Sequence, residues 1–117
     1  MTDRTLTVDA QTHPSGVTVL TVSGELDHHT APSLTQALED TPFARGSRTV
    51  LDLSGLLYCD STGITVLITA YHRAQATDSR LYLAGVNQDL MRVFRIVGLD
   101  QVLSFEPTVE SAIEALR

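Results

Sequence analysis

The sequence predicts an α/β fold: a mixed, mostly parallel sheet with an N-terminal antiparallel hairpin, covered by about four helices, in one domain over residues 1–117 with a core over about 5–116. Three observations predict it. Two β-type runs open the chain with a turn signal between them. Short β-branched runs then alternate with segments whose apolar residues recur at helical spacing. Helix-capping residues and glycines stand at the borders between the two kinds of segment.

The first run, Thr5 to Ala10, alternates, with Leu6, Val8 and Ala10 on one face. Val17 to Val22 is rich in β-branched residues, and Pro14 and Gly16 between the two runs mark a turn, so the pair reads as a hairpin. Ala31 to Asp40 places Ala31, Leu34 and Leu38 on one helical face. Thr30 stands before it as N-cap, Pro32 lies in the first turn, where a missing N–H costs nothing, and Pro42 follows its end.

Thr49 to Leu53 reads as a compact apolar strand. From Gly63 to Tyr71 two signals conflict: the β-branched residues favour a strand, but Ile64, Leu67, Ile68 and Tyr71 fall at i, i+3, i+4 and i+7. The spacing, continued by Ala70, Ala74 and Ala76, predicts a helix over 62–76. Arg80 to Ala84 is a further short strand. Asn87 then caps a helix with Leu90, Val93, Phe94 and Val97 as its stripe, Gly98 as left-handed terminator and Leu99 closing over it. Val102 to Phe105 reads as a last strand, and Thr108 caps a final helix buried through Val109, Ala112, Ile113 and Leu116. Parallel strands need crossovers, and these helices supply them.

Composition removes several function classes. Eight basic against 14 acidic residues give a net charge of −6, which argues against general nucleic-acid binding, since that draws its affinity from cations on phosphates. All eight basic residues are arginine. Without lysine there is no Walker-type phosphate loop, no Schiff-base chemistry and no kinase lysine. A lone Cys59 forms no intrachain disulfide, and no Cys and His cluster has zinc spacing, so a reducing cytoplasmic location with no metal and no cofactor is expected. No stretch has the length of a membrane span or the pattern of a secretory leader, so no membrane partner is expected.

Chemistry concentrates in two segments at strand-to-helix junctions, which gather at one edge of an α/β sheet. The first is Gly24-Glu25-Leu26-Asp27-His28-His29-Thr30-Ala31. The second runs from Asp52-Leu53-Ser54-Gly55 through Leu56, Leu57, Tyr58 and Cys59 to Asp60-Ser61-Thr62-Gly63. Read by itself, Ser61 is a helix N-cap whose hydroxyl accepts from a first-turn N–H.

Together GELDHHTA and DLSG followed by DSTG resemble the two signature loops of the STAS domain, and in particular of the bacterial anti-sigma factor antagonists. Weaker similarity runs through the strands and through VFRIVGLDQVL at residues 93 to 103, so it covers nearly the whole chain. The resemblance implies a non-catalytic partner-switching protein. In its unphosphorylated form such a protein binds an anti-sigma factor that is also a serine kinase of the histidine-kinase-like ATPase type, and so frees a sigma factor. Phosphorylation of the loop serine breaks the complex, and a serine phosphatase resets it. The resemblance makes Ser61 the acceptor. Thr62, where many members carry a second serine, is a competing one.

The same resemblance places Asp27, His28, His29, Asp60, Thr62 and Gly63 at the partner-binding surface. The plainer reading of Asp27, His28 and His29 is an exposed turn entering a helix, and Asp60 either orients the acceptor hydroxyl or extends the cap. Adjacent imidazoles point apart, so His28 and His29 are not expected to hold a metal. Ser54 is either a minor phosphorylation site or a turn residue beside Gly55. Cys59 reads as a small buried hydrophobe, and Arg92 and Arg95 as a solvated helix face.

Three other readings compete with this one. A phosphoaccepting receiver using Asp52 lacks its acidic pair and its lysine. A serine hydrolase lacks the G-x-S-x-G elbow. A STAS module that binds a small ligand, or serves a stress-signalling assembly outside any sigma-factor pathway, fits the same two loops.

Overall fold

A computed structural model describes residues 5–117. The hairpin is formed by β1 (Leu6–Thr12) and β2 (Thr18–Leu26), paired antiparallel from Leu6↔Gly24 to Thr12↔Thr18. Helix α1 (Ala31–Glu39) leads to β3 (Arg48–Cys59), and α2 (Ser61–Ala76) leads to β4 (Arg80–Ala84). Helix α3 (Gln88–Ile96) and a 3-10 turn (Leu99–Gln101) precede β5 (Phe105–Glu106), and α4 (Val109–Ala115) closes the chain. The five strands form one sheet in sequence order, with every pair after the hairpin parallel.

Alternation along the strands divides the core into two layers. Leu20, Val22, Leu51, Leu53, Leu81 and Leu83 face α1, α2 and α3. Val17, Val50 and Ala84 face α4, which meets them with Ala112, Ile113 and Leu116. The stripe of α1 is the expected one, Ala31, Leu34 and Leu38. A fully buried leucine such as Leu34 contributes roughly 1.5–3 kcal/mol. In α2 the helical spacing prevails over β-branched propensity, because Leu67, Ala70 and Ala74 find a hydrophobic sheet to pack on.

Four expectations are corrected. β2 continues to Leu26 and β3 to Cys59, so the start of the first signature segment and most of the second are strand and not loop. The reason is two irregularities in β3: Thr21↔Asp52 is followed by Ser23↔Gly55, and Gly24↔Leu56 by Glu25↔Tyr58. Each inserts one extra residue, so the inward side chains run Leu51, Leu53, Leu56, Cys59 and the period-two signal is lost.

In α3 only Leu90 and Phe94 are buried, while Val93 and Val97 are exposed, because Leu99 and Leu103 beyond the helix complete its contact with the core. Gly98 does adopt the left-handed conformation, φ +82°. The last strand is Phe105–Glu106 rather than Val102 to Phe105, since the 3-10 turn uses the preceding residues. Finally, Ala10 is exposed near the end of β1, beyond the reach of the core that Leu6 and Val8 touch.

Candidate functional site

The register Leu26↔Cys59 brings the ends of β2 and β3 side by side, and the Asp60 N–H donates to the Leu26 carbonyl at 3.1 Å. The turn Asp27–Thr30 and the start of α2 therefore share one edge, beyond the carboxyl ends of parallel strands. This adjacency matches the sequence expectation.

The cap of α2 does not. Asp60, not Ser61, is the N-cap: its backbone is extended (φ −95°, ψ −175°) and its Oδ1 accepts from the Gly63 N–H at 3.0 Å. Ser61 is the first helical residue. A carboxylate is a stronger acceptor than a hydroxyl and suits the positive end of the helix dipole, so it takes the cap. Ser61 is thereby released: its side chain is exposed, its carbonyl accepts the Thr65 hydroxyl at 3.0 Å, and its own hydroxyl has no partner among the described residues. Thr62 beside it is also exposed.

Gly63 is buried, and its role is close approach. A Cβ there would stand 2.7 Å from Leu26 Cγ and 2.8 Å from Cys59 Sγ, so only glycine lets the first turn of α2 rest on both strand ends. Burial, followed by the Asp60 charge, pushes the Cys59 thiol from its ordinary 9.0 up to about 12. It remains a protonated, unreactive hydrophobe.

Asp27 is only 1% exposed. Its Oδ1 accepts from the N–H groups of His29 at 2.9 Å and Thr30 at 3.0 Å, and its carbonyl accepts the Ala31 N–H at 2.7 Å. Thr30, expected as a side-chain cap, instead donates its hydroxyl to the Glu25 carbonyl at 2.7 Å and accepts the Asp27 N–H at 2.9 Å. The carboxylate thus builds the turn from inside. What the turn presents is His28 and His29, both exposed, with ring centroids 4.1 Å apart.

The remaining candidates stand apart from this edge. Ser54 is exposed in the middle of β3; its N–H donates to Asp52 Oδ1 at 3.1 Å, and with Thr21 and Thr108 it lines a cleft of about 550 Å³ beneath α4. Six residues of mainly extended chain, roughly 20 Å, separate it from Ser61. Arg92 and Arg95 are exposed on α3, the former 3.9 Å from Asp89. Among the described residues, no three His, Cys, Asp or Glu side chains converge on a possible metal position, and no helix is long and apolar enough to cross a membrane.

Two features escaped the sequence reading. Leu57 and Tyr58 are 74% and 43% exposed at the end of β3. Asn87, legible as the cap of α3 through its contact with the Leu90 N–H at 2.9 Å, also donates Nδ2–H to the Leu56 carbonyl at 3.1 Å and ties α3 to this edge. The first was hidden because the extra residues in β3 break alternation. The second links residues distant in sequence.

Comparison with known proteins points the same way as the two loops. The STAS domain family matches residues 8–112. The anti-sigma-B factor antagonist of Listeria monocytogenes is 35% identical over 85 residues, 73% of this chain and 75% of the relative. The crystal structure of an anti-sigma factor antagonist from Mycobacterium paratuberculosis superposes with a TM-score of 0.82 at 31% identity, covering 97% of this chain and 95% of that one. The phosphorylated form of the Bacillus cell fate determinant SpoIIAA, at 21% identity and a TM-score of 0.70 over 95% of this chain and 100% of that one, shares the fold.

Proposed function

Since the chain belongs to the STAS domain family, we propose that it is an anti-sigma factor antagonist, a regulatory binding protein and not an enzyme, switched by phosphorylation of Ser61. In its unphosphorylated form it binds an anti-sigma factor with serine kinase activity of the histidine-kinase-like ATPase type, and a sigma factor is released. The kinase transfers the γ-phosphoryl group of ATP to Ser61 Oγ, ADP leaves, and the complex dissociates. A serine phosphatase restores the hydroxyl, and the exchange takes place in the cytoplasm.

One observation carries this reading: Asp60 takes the cap of α2, so the adjacent Ser61 hydroxyl is exposed and free of any structural duty. A phosphate there adds about −1.5 to −2 charges at a helix N-terminus, where orphan N–H groups and the dipole favour an anion. The fold tolerates it. A partner packed over the same residue must desolvate the dianion beside Asp60, or withdraw.

The other residues have supporting roles: Asp27 holds the turn that presents His28 and His29, Thr62 lies on the contacted rim, and Gly63 seats the helix. Incubation with the cognate kinase and ATP should add one phosphate, and Ser61→Ala should abolish it. Fragment mass spectra with the phosphate on Ser54 would overturn the assignment; on Thr62 they would move it by one residue.

A further inference from the structure

We propose that Leu57 is the apolar anchor by which the chain docks on its anti-sigma factor, whose surface offers an apolar socket ringed by cationic side chains. This rests on the reading of Ser61 given above and names the contact that the phosphate disrupts.

The observation is a bulge with a purpose. Across the β2–β3 pair, Gly24↔Leu56 is followed by Glu25↔Tyr58, so Leu57 is the extra residue. Simple alternation after the buried Leu56 would turn Tyr58 inward and Cys59 outward. The inserted residue instead returns Cys59 to the core and leaves two successive large side chains, Leu57 and Tyr58, at the surface. Bulges of this kind re-aim side chains beside functional sites.

The backbone that carries Leu57 is held from two sides. The ladder to β2 resumes at Glu25↔Tyr58, and the Asn87 Nδ2–H bond to the Leu56 carbonyl braces it from α3. A side chain presented on a rigid backbone loses little freedom on binding, which is what an anchor requires. Leu57 is 74% exposed, so it contributes little to the fold.

Ser61 follows four residues later at the start of α2 and is likewise exposed, so the proposed contact surface runs from Leu57 to the hydroxyl. The junction segments carry Glu25 and Asp60 and no arginine, hence the cationic ring. Phosphorylation then places a dianion on the rim of an apolar contact, where it must be desolvated for the socket to close.

The test titrates the Ser61-directed kinase, held with a non-hydrolysable ATP analogue, into wild type, Leu57→Ala, Leu57→Ser and Ile96→Ala. Ile96 is 78% exposed at the far end of α3 and serves as a matched control. Losing a leucine anchor should raise Kd about tenfold or more. Ile96→Ala should leave Kd unchanged, and melting temperatures of all three variants should match wild type. With ATP, the Leu57 variants should raise KM for phosphorylation and leave kcat unaltered. Leu57 variants that bind within twofold of wild type, while Ser61→Asp abolishes binding, overturn the anchor and leave the Ser61 reading intact. Wild type that is neither bound nor phosphorylated overturns both.

Discussion

Asp60 caps α2 through a 3.0 Å hydrogen bond from the Gly63 N–H, and this separates the residue that starts the helix from the residue that is offered to a partner. Had Ser61 been the cap, phosphorylating it would have removed a structural hydrogen bond. As arranged, the switch residue is exposed and the structural load falls on its neighbour.

Replacing the cap should therefore be felt in stability, and replacing the acceptor should not. Asp60→Ala should lower unfolding free energy by about 1 kcal/mol, the usual cost of a lost cap, and Asp60→Asn by less, since the amide oxygen still accepts. Ser61→Ala and Ser61→Asp should remain within about 0.5 kcal/mol of wild type, as exposed sites usually do. Chemical denaturation of the four variants measures this.

Asp27 should behave as a buried framework residue. Its carboxylate oxygen receives two backbone N–H groups inside the turn, and Asp27→Ala leaves both without that acceptor. The expected loss is about 1–3 kcal/mol, partly recovered in Asp27→Asn. Amide exchange at His29 and Thr30 should quicken in the alanine variant. Retained protection at both amides would show that the turn holds without the carboxylate.

Cys59 sets a pH dependence at the alkaline end. Its thiol is raised from 9.0 to about 12 in the fold, chiefly by burial. Below pH 9 the thiol is protonated in both states and its contribution to stability is fully present. As pH rises from about 9 towards 12 the unfolded chain releases this proton first, and the contribution is lost. Thiol titration with a disulfide reagent at pH 8 should find Cys59 silent in the native protein and reactive once denaturant is added.

Much of this molecule was legible from its residues because local signals agreed. Ala31, Leu34 and Leu38 share a helical face and are buried together, Gly98 terminates α3 in the left-handed region, and Thr108 caps α4. The adjacency of the two loops followed from topology.

What escaped depended on register or on distant partners. The inserted residues at Leu57 and between Asp52 and Gly55 shift the inward face of β3 by one step each, and no window of sequence reveals a bulge that only β2 defines. The exchange of roles between Asp60 and Ser61 moves a cap by one residue, within the ordinary uncertainty of a helix boundary. The burial of Asp27 follows from two hydrogen bonds that a polar turn could equally have left to water.

The central claim is that one phosphate on Ser61 ends partner binding without disturbing the fold. Calorimetry of the anti-sigma factor kinase with the chain before and after stoichiometric phosphorylation at Ser61 tests it most directly, with a thermal melt of each form alongside. The account predicts saturable binding of the unmodified chain, a loss of at least a hundredfold on phosphorylation, about 3 kcal/mol or more, and cooperative melting of both forms within a few degrees of each other. Equal affinity of the two forms, or loss of binding that coincides with loss of the melting transition, would contradict it.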